Sequence, residues 1–141
     1  MTANKLTREE SLFKAVSQGK FRTVYAILES EQDPDIRDSE HWTPLMRAIY
    51  LKREDVRSHI VRLLIKYKAD VNLRDQFGRT ALIHACGVIG RLDVVRRLIA
   101  TTNCDVCAYD QDGNTAVMYA TLKNNPSAIR ILVNSAFTKD R

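Results

Sequence analysis

Little in this chain supports catalysis or a membrane span. It has no Gly-x-Ser-x-Gly elbow, no Gly-x-x-x-x-Gly-Lys phosphate loop and no His-Glu-x-x-His metal helix. Its 5 glycines leave little for a phosphate cradle. No apolar run approaches the ~18 residues of a transmembrane helix. The segment from Met1 to Glu10 is polar and lacks the apolar core of a secretory signal. Cysteines number 3, an odd and small count that reads as reduced thiols inside a cell. The expected location is cytoplasmic and/or nuclear.

What remains is an ordinary globular composition, 45% hydrophobic and 28% charged over 141 residues. That length holds one compact domain or one short repeat array. The net charge of +5 is uneven: residues 1–40 carry 6 basic and 8 acidic groups, 41–100 carry 12 and 5, and 101–141 carry 4 and 4. The basic middle favours a partner with some negative charge, such as an acidic protein segment.

Three segments align without gaps: 38–48, Asp-Ser-Glu-His-Trp-Thr-Pro-Leu-Met-Arg-Ala; 75–85, Asp-Gln-Phe-Gly-Arg-Thr-Ala-Leu-Ile-His-Ala; and 110–120, Asp-Gln-Asp-Gly-Asn-Thr-Ala-Val-Met-Tyr-Ala. A degenerate earlier copy runs through Leu12 to Val16, Gly19 and Val24 to Leu28. The anchor alanines Ala15, Ala48, Ala85 and Ala120 are spaced by 33, 37 and 35 residues. Thr43, Thr80 and Thr115 read as helix N-caps, and Thr7 with Glu10 as a capping box. Behind each anchor lies an apolar second-helix pattern: Ile60, Val61, Leu63, Leu64; Val94, Val95, Leu98, Ile99; Ile129, Ile131, Leu132. The expected helices are 8–17, 21–30, 44–52, 56–67, 81–88, 92–101, 116–123 and 127–135.

These copies resemble the ankyrin repeat, whose period is ~33 residues and whose signature includes Thr-Pro-Leu-His-x-Ala. The resemblance covers roughly residues 8–135. It implies an all-α ankyrin-repeat solenoid of four helix-turn-helix repeats linked by β-hairpin-like loops. The chain then reads as a single domain, 1–141, with repeats at about 7–36, 37–73, 74–108 and 109–137. Thr80-Ala-Leu-Ile-His-Ala-Cys86, the insertion in repeat two and the Met118-Tyr-Ala helix are also similar to the vertebrate group called ankyrin repeat domain-containing protein 34.

The copies depart from the pattern at several points. His41 stands where a turn glycine is expected, which predicts a strained or differently shaped hairpin. Met46, Ile83 and Met118 fill the histidine slot, so the usual threonine–histidine bond is in doubt. Repeat two has about four extra residues around Lys52 to His59, read as a longer loop or an extended first helix.

Candidate chemistry is sparse. Cys104 and Cys107 suggest a metal or redox pair, but both occupy ordinary repeat slots, those of Ala69 and Asn72, so no metal or other cofactor is expected. His84 reads as a packing histidine, and Asp38, Asp75 and Asp110 as turn-ordering residues. The chain is not expected to be an enzyme. The family resemblance implies a scaffold or adaptor that binds a protein or peptide on a concave face of hairpin tips and first helices. Carried over slot by slot, that surface comprises Arg37, Glu40, Trp42, Tyr50, Arg74, Gln76, Phe77, Arg79, Tyr109, Asp112 and Asn114. Ser39, Leu51, Val88, Gln111 and Leu122 flank them. Aromatic and arginine side chains are the enriched hot-spot types. Trp42→Ala or Arg79→Glu is expected to weaken binding without unfolding the chain. The alternative reading is nucleic acid or anionic lipid on a basic convex face, through Arg62, Arg96 and Arg130 with Lys52, Arg53 and Arg57. A monomer is expected.

Overall fold

A computed structural model describes residues 12–139. The capping box at Thr7 and Glu10 and the expected helix start at residue 8 lie outside the described residues. Eight helical segments occur among those described: α1 (residues 12–17), α2 (Phe21–Glu29), α3 (Pro44–Ile49), α4 (Glu54–Lys66), α5 (Ala81–Cys86), α6 (Leu92–Ile99), α7 (Ala116–Leu122) and α8 (Pro126–Lys139). The one strand-like pairing among these residues is the antiparallel bridge between Tyr109 and Thr115. The described residues are helical apart from that bridge and their loops, with the helices arranged in pairs. The chain divides into two compact units between Asp70 and Val71.

The first helices are short for a local reason. Each begins at a threonine with extended backbone whose Oγ1 accepts the N–H three residues on: Met46 at 3.2 Å, Ile83 at 3.3 Å, Met118 at 3.4 Å. A cap of this kind contributes about 1 kcal/mol. Pro44 adds a preset φ at the first helical position. Helices of 6 or 7 residues are too short to persist alone, so packing must hold them.

In the first unit α2 and α3 both pack on α4. Val24, Leu28, Leu45, Ile49, Ile60 and Leu64 are fully buried there. The insertion in repeat two forms neither a longer loop nor a longer first helix. α3 ends at Ile49, and most of the 52–59 stretch belongs to the second helix, which begins at Glu54 and runs 13 residues against 9 for α2, 8 for α6 and 14 for α8. Arg57 explains the arrangement. Only 2% exposed, its Nη1 donates to the carbonyl oxygens of Leu51 at 2.8 Å and Lys52 at 3.4 Å, just beyond α3. A guanidinium thus satisfies carbonyls that a short helix leaves open. Asp35 Oδ1 accepts the Asp70 N–H at 2.9 Å, tying the approach segments of the two repeats.

In the second unit α5 packs on α6, α7 on α8, α7 on α5, and α8 on α6. Ala85 and Ala120 are buried, as are Leu82, Ile83, Val94, Val95, Leu98 and Leu132. Small alanines let successive first helices approach closely, and each pair covers apolar surface its neighbour cannot cover alone. Asn72 takes the slot of Asp35: its Oδ1 accepts the Asp105 N–H at 2.8 Å and its Nδ2 donates to Asn103 O at 2.7 Å. Cys86 and Cys104 are buried; Cys107, in the slot of Asn72, is exposed. Burial, reinforced by the nearby Cys104, pushes the Cys86 thiol up to about 12.

Candidate interaction surface

Each hairpin is organised by one aspartate that uses its two oxygens differently. Asp38 Oδ1 accepts the N–H groups of Glu40 and Trp42, both at 2.9 Å. Asp75 Oδ1 accepts those of Phe77 and Arg79 at 2.9 Å. Asp110 Oδ1 accepts those of Asp112 at 3.0 Å and Asn114 at 2.9 Å. The turn-ordering role read from sequence holds. Main-chain bonds repeat as well: Asp38 to Trp42, Asp75 to Arg79 and Asp110 to Asn114. His41 adopts φ 62°, beside 77° for Gly78 and 79° for Gly113. The expectation of a differently shaped hairpin is therefore corrected. The histidine enters the left-handed region and the loop keeps its bonding, at some conformational cost.

The second oxygen reaches the first helix, at the residue nine positions later. Asp38 Oδ2 pairs with Arg47, Asp75 Oδ2 with His84 at 2.9 Å, and Asp110 Oδ2 with Tyr119. Arg79 Nε also donates to Asp75 Oδ2 at 2.9 Å. This tie takes the place of the threonine–histidine bond, while the threonine hydroxyls cap their own helices. Burial alone would raise these three carboxyls. Donors outweigh it, Arg47 with two N–H groups at Asp38, Arg79 with Phe77 and His84 at Asp75, and Tyr119 with two N–H groups at Asp110. All three carboxyls lie below the ordinary value. The Asp110 hydrogen bond pushes the Tyr119 phenol up to about 12.

Aromatic rings line the hairpins, each with an arginine laid over it. In the first unit the Arg47 guanidinium sits 4.4 Å from the Trp42 ring centre, and Tyr50 lies 5.3 Å from the same ring. In the second, Arg79 sits 5.0 Å over Phe77 and Arg74 5.9 Å over Tyr109, whose carbonyl accepts from Arg74 Nη1 at 3.3 Å. Such stacking costs little solvation for a guanidinium and fixes its plane. Successive tips in this unit are bonded: Gln111 N donates to Phe77 O at 3.0 Å, and Gln111 Nε2 to Gln76 O at 2.9 Å.

Most of the residues read from sequence are exposed: Arg37, Glu40 and Tyr50 in the first unit; Arg74, Gln76, Phe77, Tyr109 and Asp112 in the second. Three are only half exposed. Trp42 lies between Arg47 and Tyr50 instead of projecting, Arg79 is held by Asp75, and Asn114 sits in the hairpin turn. Arg79→Glu would therefore disrupt a buried carboxylate as well as a surface, and does not test binding alone. Arg47 was missed by sequence reading. Its signal was its place nine residues after an aspartate, matched by His84 and Tyr119. Met118, 51% exposed, was missed too, and forms a shallow depression with Asn114, Tyr119 and Leu122. Arg62, Arg96 and Arg130 are exposed on α4, α6 and α8.

The sequence profile of ankyrin repeats in three copies matches residues 2–75 and 55–141. Ankyrin repeat domain-containing protein 63 is 37% identical in Mus musculus over 127 residues, covering 89% of this chain and 32% of that protein. The Homo sapiens protein of the same name is 36% identical over 127 residues, covering 89% of the chain and 33% of that protein. Neurogenic locus notch homolog protein 1 of Xenopus tropicalis is 30% identical over 135 residues, 95% of this chain and 5% of that protein. The chain thus spans about a third of the length of the first two relatives.

Proposed function

Because the chain belongs to the ankyrin-repeat family, we propose that it is a scaffold or adaptor module that binds a segment of a partner protein through its hairpin tips and the exposed flanks of its first helices. Ankyrin repeats are generally non-catalytic and mediate protein–protein interaction. The observation that carries the reading is the recurrence of one pairing: Arg47 on Trp42, Arg79 on Phe77 and Arg74 on Tyr109. Aromatic and arginine side chains dominate binding energetics. Those already held by stacking lose little rotamer freedom on binding. This is the side that the family resemblance makes concave.

The pair of Asp75 and His84 has the form of a base and its orienter. Yet the two side chains are 0% and 1% exposed, so no substrate reaches the ring. Asp38 and Asp75 neutralise Arg47 and Arg79. An acidic segment of the partner therefore gains less from those two than the sequence charge implies, and stacking carries more. The module is proposed to act as a monomer in the cytoplasm or nucleus.

The test is affinity capture with mass spectrometry, comparing the wild-type chain with Tyr50→Ala, Phe77→Ala and Tyr109→Ala. These rings are 42%, 49% and 60% exposed, and circular dichroism checks that each variant keeps its helices. A partner recovered by the wild type and lost by at least two variants supports the reading. Equal recovery by all four chains removes it.

A further inference from the structure

The outer face of α8 differs from an ordinary solvated helix face. Its buried positions are Ala128, Leu132 and Ser135. At about 100° per residue, Arg130 and Phe137 project on the opposite side, two turns apart, with Val133 between them. Phe137 is 71% exposed and Val133 40%. α6 packs beside α8 and exposes Arg96 and Arg97. Among the described residues none of the three guanidiniums shares an ion pair with a carboxylate. Residues 126–139 contain no Asp or Glu, and residues 92–99 contain only Asp93. The packed pair α6 and α8 therefore carries exposed arginines and exposed apolar side chains with one carboxylate, Asp93, among its residues.

We propose that this face of α6 and α8 binds the surface of an anionic lipid bilayer. Guanidinium groups pair with headgroup phosphates, where bidentate geometry suits them. Phe137 and Val133 enter the interfacial zone beneath, as apolar residues of interfacial helices do. Among the described residues no helix is long and apolar enough to cross a membrane; the contact proposed is a peripheral one. A nucleic-acid strand would meet the arginines and could stack on Phe137, but it gives the aliphatic Val133 nothing to bury against. A bilayer uses all of them. The surface shares no residue with the hairpin tips, so its failure leaves the partner-binding reading untouched, and the reverse holds.

The test is cosedimentation of the full chain with vesicles of phosphatidylcholine alone or of phosphatidylcholine with phosphatidylserine, at low and high salt. A parallel binding assay uses single-stranded RNA. The expected result is binding to the phosphatidylserine vesicles, weakened by salt. Arg96→Gln with Arg130→Gln lowers it by about twenty-five-fold, at about fivefold per guanidinium. Phe137→Ser lowers it by about tenfold with the charge unchanged. These side chains are exposed, and circular dichroism confirms that each variant keeps its helices. Equal binding to both vesicles, or to neither, overturns the proposal. RNA binding stronger than vesicle binding, with Phe137→Ser indifferent, also overturns it, in favour of a nucleic-acid face.

Discussion

Asp75 Oδ2 lies 2.9 Å from His84 Nε2, across a distance of nine residues in sequence and with both side chains out of reach of water. The same carboxylate also accepts Arg79 Nε and two main-chain N–H groups. One side chain thus joins a hairpin to the helix behind it.

Asp75→Ala should cost about 3–5 kcal/mol of stability, because it leaves buried donors without an acceptor. His84→Ala should cost less, about 1–3 kcal/mol, since Arg79 and the hairpin N–H groups keep the carboxylate satisfied. Urea denaturation followed by circular dichroism measures both. Equal losses would mean that the two residues act only as a pair.

Stability should fall in acid. Asp38, Asp75 and Asp110 have lowered folded-state pKa values. Each therefore contributes stability that is fully present above the unfolded carboxylate value of about 3.9, and that is lost as pH drops through the lower folded value. Asp35 is raised, chiefly by burial, and works in the opposite sense. Urea midpoints between about pH 5 and 2 should decline, with a shallower slope in Asp75→Asn. A midpoint unchanged across that window would contradict the hydrogen-bond account.

Glycine at position 41 should stabilise the first hairpin by about 0.5–1 kcal/mol, because His41 holds φ 62°. The converse changes separate strain from packing. A Cβ on Gly78 would meet Gln111 N at 3.2 Å, whereas one on Gly113 meets nothing within 4 Å. Gly113→Ala should cost about 1 kcal/mol of backbone strain, and Gly78→Ala about 1 kcal/mol more. Thermal unfolding of the three variants checks the order.

Arg57→Ala should destabilise by about 1–3 kcal/mol and loosen the chain between α3 and α4, since it removes a buried guanidinium that holds the carbonyls of Leu51 and Lys52. Hydrogen exchange should rise first at residues 50–54. Uniform acceleration across α4 instead would show that the guanidinium supports the helix and not the turn.

The repeat was legible because its residue types are set by backbone demands: a threonine at each cap, an aspartate at each turn, an alanine where helices meet. Arg47 was not, because Arg, His and Tyr share no chemistry except the ability to donate to a carboxylate. Trp42 looked outward by its slot, but Arg47 and Tyr50 enclose it. The insertion, expected between the helices as a longer loop or an extended first helix, falls mostly within the second helix. Its helical residues could have continued α3; instead the N–H groups of Tyr50 and Leu51 close that helix on Arg47 and Ala48, and the buried Arg57 holds the carbonyls beyond. The expected 44–52 and 81–88 end at 49 and 86, since last turns are weakly encoded.

The twofold use of each aspartate leaves the residues inside the turn with no structural duty. The exposed side chains of Ser39, Glu40, Gln76 and Asp112 take no part in the Oδ1 bonds, which end on backbone N–H groups of the turn. Their side chains can be exchanged without reshaping the loops that carry them. Randomising those four positions should therefore yield a library of new specificities on an unaltered frame, with selection acting on recognition and not on foldability.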